Sequence, residues 1–535
     1  MSKPTLGHAK TTDPISPIHP NLSVITHGES VVSSNRAPIS TDHLVASGTR
    51  EATGSLSRVS TLRVVLLAGA ITSTNFLSAA STGSATLLIP SIARDLRITA
   101  LEAQFVSSAY TMAFACGLLF AGRLADVYGR KNLYMAGLVI YAVFAVITGS
   151  VKNLISLNVS RACSGLGLSI ASPAGFGIIG VNIRHEPART IVFAVMGLGV
   201  PIGGAFGNFI GGLMAGIGEG IWVYLFHLLA GLAVLLVIFA YFVIPADPID
   251  TSDRDLRIDW AGGILVTIAI SLFTFSLTYS GIATKGWSSP LVYALLATSI
   301  ILFAAWIMWS LHLEYHTSYP PIMKMSLFTR RNGLISYACA SYFFVSICIF
   351  GWIYTSAIFY QSYRGMTPLG NAIATLPNTV TGTLSALTVV FLASRIRAPY
   401  LLGVSSLMTV SCCVLYAARP EGTSFWAMEF PAQLLQSWGI VYVVGLGNIL
   451  VGNLVEQHEQ SIGGALFQVS GTVAAALGIC LSSLICSEVE DRQGNVLAGV
   501  RAAYAFEAGC GFVVTLLAVI GFRKVGLAKD IGRTG

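Results

Sequence analysis

Charge is scarce in this chain: only 10% of its 535 residues are Asp, Glu, Lys or Arg, against about 25% in soluble globular domains. With 54% hydrophobic residues and a mean hydropathy of +0.73, that shortage excludes a soluble domain and points to an integral membrane protein. The motifs of direct chemistry are missing too. There is no Gly-x-x-x-x-Gly-Lys phosphate loop, no His-Glu-x-x-His and no Gly-x-Ser-x-Gly, so ATP hydrolysis and ordinary hydrolase chemistry lack their equipment. The nine cysteines have no Cys-x-x-Cys spacing and fall in or beside apolar runs. They read as packing residues, not as metal ligands or a disulfide framework. The net charge of +7 gathers in loops and forms no nucleic-acid footprint.

What is present is a series of apolar runs of about 17 to 25 residues, the length a bilayer asks of a helix. Fourteen are expected, in three groups. Six lie at about 64–89, 104–121, 133–149, 154–182, 191–214 and 221–244, and two at about 260–280 and 290–312. The last six lie at about 334–360, 371–392, 399–417, 425–452, 462–486 and 501–522. The expected organisation is a disordered N-terminal tail at 1–60, a six-helix bundle at 61–244, a linker with two inserted helices at 245–313, a second six-helix bundle at 314–525 and a tail at 526–535. The tail at 1–60 is rich in Ser, Thr, Pro, His and Gly and has no apolar core of signal-peptide length.

Basic loop residues give the orientation. With the N-terminal tail in the cytosol, sixteen fall on the cytosolic face, among them Arg123, Arg184, Arg254, Lys324, Arg330, Lys524, Lys529 and Arg533. Seven fall on the other face, among them Lys285, Arg364 and Arg419.

Between the second and third runs lies Gly122-Arg-Leu-Ala-Asp126-Val-Tyr-Gly129-Arg130-Lys131. The glycines permit a tight turn and close helix approach. Asp126 can reach Arg130 and face the positive N-terminus of a neighbouring helix, so the cluster reads as a conformational clasp between helices. This loop closely resembles the signature loop of the major facilitator superfamily of transporters. The six–two–six order resembles its fourteen-helix drug:proton antiporter branch, in details most like fungal multidrug and secondary-metabolite efflux pumps. The resemblance implies an all-α membrane fold of two six-helix bundles plus two inserted helices, with Phe391 to Tyr400 as a decayed second copy of the loop.

Two further stretches carry the resemblance. Arg161, in an apolar run, is costly at membrane depth and needs a partner or a watered cavity. Its surroundings are similar to the family's Arg-x-x-Gln-Gly-x-Gly pattern, with Ser164 in the glutamine's place, and the resemblance implies proton coupling. Gly199, Pro201, Gly203, Gly204, Gly207, Gly211 and Gly212 leave a helix face bare for close packing. They resemble the family's antiporter motif, which marks exporters, with Val200 and Ala205 where glycines are common.

The first run departs from the pattern: around Pro90 it matches the antiporters, yet Ser81 stands where an acid is frequent and Thr86 where an asparagine is. The proton must then use another group. Glu429 is expected well inside the twelfth run, so that desolvation favours its reversible protonation; Glu507 is expected near a helix end at headgroup level, and His227 as a satisfied polar residue. Tyr342, Trp352, Tyr354, Gln361 and Asn378 are the candidate substrate contacts, since aromatic walls with few polar groups suit an amphipathic organic ligand. The resulting expectation is a plasma-membrane exporter driven by the proton gradient, or else one in a vacuolar or vesicular membrane. It needs no cofactor, metal, nucleic acid or obligate protein partner, and its partners are substrate, protons and lipids. An importer of a nutrient, siderophore or organic cation is the alternative.

Overall fold

The computed structural model describes residues 61–526 except 184, 186–187, 219, 247–256, 282, 284–285 and 524. The tail expected at 1–60, all but the first residue of the one at 526–535, and most of the linker after Pro245 lie outside the described residues. So do Arg184, Arg254, Lys285, Lys524, Lys529 and Arg533.

The all-helical expectation holds: every one of the fourteen apolar runs is helical, and no strand occurs among the described residues. The first six helices are α1 (Thr61–Leu96), α2 (Phe105–Tyr128), α3 (Arg130–Ser150), α4 (Leu154–Asn182), α5 (Ala188–Ile217) and α6 (Trp222–Val243). The inserted pair is α7 (Trp260–Ser280) and α8 (Pro290–His316). The last six are α9 (Arg330–Ile358), α10 (Leu376–Leu392), α11 (Ala398–Ala417), α12 (Phe425–Leu454), α13 (Gln460–Gln493) and α14 (Val496–Gly521). Thirteen are long and apolar enough to cross a membrane. The exception is α10, because its run breaks at Thr375 into Pro368–Ala374 and Leu376–Leu392, where Pro377 cannot donate to the preceding turn. Caps set the other ends: Asn153, Asp259 and Asn495 each accept a backbone N–H of the first turn of α4, α7 and α14.

The two halves repeat the same packing. In the first, α1 lies on α5, α2 on α4 and α3 on α6; in the second, α9 lies on α13, α10 on α12 and α11 on α14. The pair α7 and α8 pack on each other, and α7 also leans on α2 and α13. Contact between the halves runs through α13 against α2 and α4, and through α5 against α10 and α12. The site is therefore sought along these seams.

Candidate functional site

The α2–α3 turn is built for a sharp reversal. Gly129 sits at φ 99°, which a side chain would strain, and this turns Arg130 back over the last turn of α2. Arg130 Nη2 and Nε donate to Asp126 Oδ1 at 2.7 and 3.0 Å, and both residues are almost fully buried. The pair then reaches across to the second half. Asp126 accepts the N–H groups of Ser461 (3.2 Å) and Ile462 (3.0 Å) at the start of α13, so its charge faces that helix's positive end. Arg130 donates to Gln457 O (2.8 Å) and Ser461 Oγ (3.2 Å). A Cβ on Gly122 would stand 2.8 Å from Ala465 Cβ, so glycine is what lets α2 come this near. Lys131 is aimed elsewhere: its Nζ donates to Tyr241 O and Ile244 O (3.0 and 2.6 Å), at the negative end of α6. Arg123 is the remaining basic residue of the turn.

Sequence reasoning missed two further bridges between the halves. Arg189 donates to Gly452 O as well as to Gly180 O, and Ser172 donates to Gln468 Oε1 at 2.7 Å. Neither lies in a motif: Arg189 reads only as a basic loop residue, and Ser172 and Gln468 only as polar residues inside apolar runs.

On α5 the glycines divide. Gly199, Gly203, Gly207 and Gly211, four apart, press on α1 so closely that a Cβ on any of them would collide with Thr72, Phe76, Ala80 or Ser84. Gly204 and Gly212 face away from this seam, with open space or only Leu87 nearby. Pro201 lies inside the helix, facing Gly382 of α10.

Arg161 is buried in the first half. Its Nη1 donates to Ser81 Oγ (2.8 Å) and its Nε to Val106 O (3.0 Å), while the Tyr110 ring lies 4.5 Å from the guanidinium. Ser81 thus occupies the position from which an acid would pair with this arginine. His227 is tied to Val223 O and Ser150.

Both glutamates are buried, and their positions along their helices differ from those expected. Glu429, expected deep within its span, lies in a π-helical turn, Phe425–Glu429, at the very start of α12. It is fully buried, but Arg364 Nη2 bonds its Oε1 and Arg419 Nε lies 2.9 Å from the same oxygen. Two guanidiniums thus flank one carboxylate oxygen. Glu507, expected wetted at a helix end, is fully buried: α14 begins at Val496, so the residue stands about 16 Å along the helix at 1.5 Å per residue. It accepts hydrogen bonds from Thr355 (2.6 Å) and Ser482 (2.9 Å), with no cation paired to it among the described residues.

The candidate substrate contacts do not converge. Trp352 packs against Tyr416 in the core of the second bundle. Tyr342 stacks on Phe467 between α9 and α13, Tyr354 takes a hydrogen bond from Ser483, and Gln361 is exposed in the turn after α9. Asn378 accepts from Ser437 at 2.6 Å.

These features sit in a chain that matches the Major Facilitator Superfamily description over residues 71–383. The chain belongs to that superfamily and is a multi-pass membrane transporter. It is similar to the low affinity ammonium transporter of Saccharomyces cerevisiae, 25% identical and covering 76% of this chain and 78% of that one. It is also similar to efflux pump terJ of Aspergillus terreus, 24% identical and covering 76% and 78%. Among solved structures, the human organic anion transporter MFSD10 superposes with a TM-score of 0.58 at 13% identity, covering 84% of this chain and 99% of that one. That likeness speaks for the fold alone.

Proposed function

We propose that the chain is a secondary-active exporter that moves small amphipathic organic molecules out of the cytosol in exchange for protons, by alternating access between its two bundles. The observation that carries the reading is the clasp. Asp126 and Arg130 of the first bundle hold the N-terminus of α13 in the second, and a cavity facing that side opens only when these bonds break. The excess of basic loop residues supports a cytosolic location for this face, and on that reading the conformation is closed to the cytosol. The glycine seam between α1 and α5 supports export through its resemblance to the antiporter motif, and so does the likeness to a fungal efflux pump. The plasma membrane is the proposed location, with the proton gradient as the energy source. The likeness to an ammonium transporter, together with Ser81 in place of an acid, favours import as the second reading.

Accumulation of rhodamine 6G and of fluorescein in a pump-deficient yeast host separates the two. Cells expressing the chain are expected to hold less of at least one dye than vector controls. Higher accumulation means import, and equal accumulation of both removes amphipathic dyes from the substrate class.

A further inference from the structure

Glu507 is surrounded by neutral groups. Within electrostatic reach of it are Cys348 of α9, Cys412 and Cys413 of α11, Cys486 of α13, and Tyr504 and Cys510 of its own helix. None carries a positive charge. Thr355 and Ser482 both donate to Oε1, while Oε2 has no hydrogen-bond partner among the described residues. Gly351 makes the room, since a Cβ there would stand 3.1 Å from Oε1. A buried carboxylate without a cation is costly, whereas the neutral acid suits such a site. Glu429, held by two arginines, is the opposite case.

Three buried tyrosines, Tyr504, Tyr416 and Tyr360, lie near Glu507 in the second bundle. Tyr504 lies one helical turn from Glu507 toward the start of α14, and its hydroxyl has no partner among the described residues. Its ring is 4.9 Å from that of Tyr416. The Tyr416 hydroxyl is 3.0 Å from the Tyr360 hydroxyl, and Gln433 Nε2 donates to both, at 3.1 and 3.2 Å. Tyr360 lies in the π-helical turn Phe359–Tyr363 that follows α9, and Gln433 follows Glu429 by one turn. Hydroxyls at the Tyr360–Tyr416 spacing can pass a proton between neighbouring oxygens; transfer from Tyr416 to Tyr504 requires a bridging water.

We propose that Glu507 is the proton-binding group of the transport cycle, loaded from the outer face along Tyr360, Tyr416 and Tyr504. This rests on the proton-antiport reading above. The step is a simple transfer. An external proton bonds to Oε2 and turns the carboxylate into a neutral acid; after the bundles change sides, that O–H bond breaks and the proton leaves to the cytosol. No other bond is made or lost, and one positive charge moves inward per loading.

The test uses the full chain in proteoliposomes, in wild-type, Glu507→Gln and Tyr416→Phe forms, with rhodamine 6G or fluorescein as probe. Infrared difference spectra between acidic and alkaline pH report the C=O stretch of a protonated carboxylic acid. Transport is read both as uptake driven by an imposed pH gradient and as probe exchange without one. The wild type is expected to show a C=O band that Glu507→Gln lacks. Glu507→Gln should lose gradient-driven uptake to the level of protein-free liposomes while keeping exchange. Tyr416→Phe should keep the band and slow the gradient-driven mode only. A band that persists in Glu507→Gln, or uptake by that variant that still follows the gradient, overturns the assignment. If the wild type ignores the gradient while the Glu507 band titrates, the antiport reading fails and the proton site stands.

Discussion

Asp126→Asn is expected to reach the membrane folded and at normal abundance, yet to transport roughly tenfold slower or worse. The substitution keeps the shape of the side chain, so the close approach of α2 to α13 that Gly122 permits is unchanged. What it removes is charge at a place where charge matters. The carboxylate faces two N–H groups at the start of α13 while accepting from Arg130. A negative group at a helix N-terminus in a partly buried site is worth up to about 2 kcal/mol. Losing about 1.4 kcal/mol already shifts the balance between cytosol-closed and cytosol-open states tenfold. Because the bonds cross from one bundle to the other, the loss is expected to fall on the conformational equilibrium more than on folding. Rhodamine 6G efflux normalised to surface abundance checks this, and undiminished efflux would remove the clasp from the mechanism.

Glu429→Gln should act in the other direction, on stability first. The carboxylate is shared by Arg364 and Arg419; the Arg419 guanidinium also donates to Thr423 O, and its backbone carbonyl accepts from Arg501. A glutamine keeps one oxygen but leaves two guanidiniums without their counter-charge. Removing one member of a buried pair costs on the order of 3–5 kcal/mol, and the low end applies here because Arg364 is 19% exposed. The measurable result is a clear drop in the melting temperature of the purified protein and lower abundance. The surviving fraction should still respond to a pH gradient, because the proton is assigned to Glu507. Normal stability with loss of the pH response would restore Glu429 as the coupling residue.

The contrast between these two glutamates marks where sequence reading reached and where it stopped. All fourteen apolar runs and the reversal at Gly129 were legible, because length, hydropathy and a glycine at a turn are local signals. The seam of Gly199, Gly203, Gly207 and Gly211 was legible as well, for four-residue spacing puts side chains on one helix face; Gly204 and Gly212 are off that face for the same reason. The depth of a single acid was not legible. It depends on helix ends: α14 starts at Val496, five residues before the apolar run expected from 501, and so draws Glu507 inward. It depends equally on partners distant in the chain, and Arg364 lies 65 residues from Glu429. Likewise no local pattern announces that Ser172 of α4 meets Gln468 of α13.

Inside-out vesicles carrying the protein test the central claim most directly, because the cytosolic face then meets the medium and the lumen stands for the outside. With an acidified lumen and rhodamine 6G or fluorescein in the medium, proton-coupled export predicts that dye accumulates in the lumen while the lumen turns alkaline, both ceasing when a protonophore collapses the gradient. Dye that leaves the lumen together with protons, or accumulation untouched by the protonophore, would contradict it.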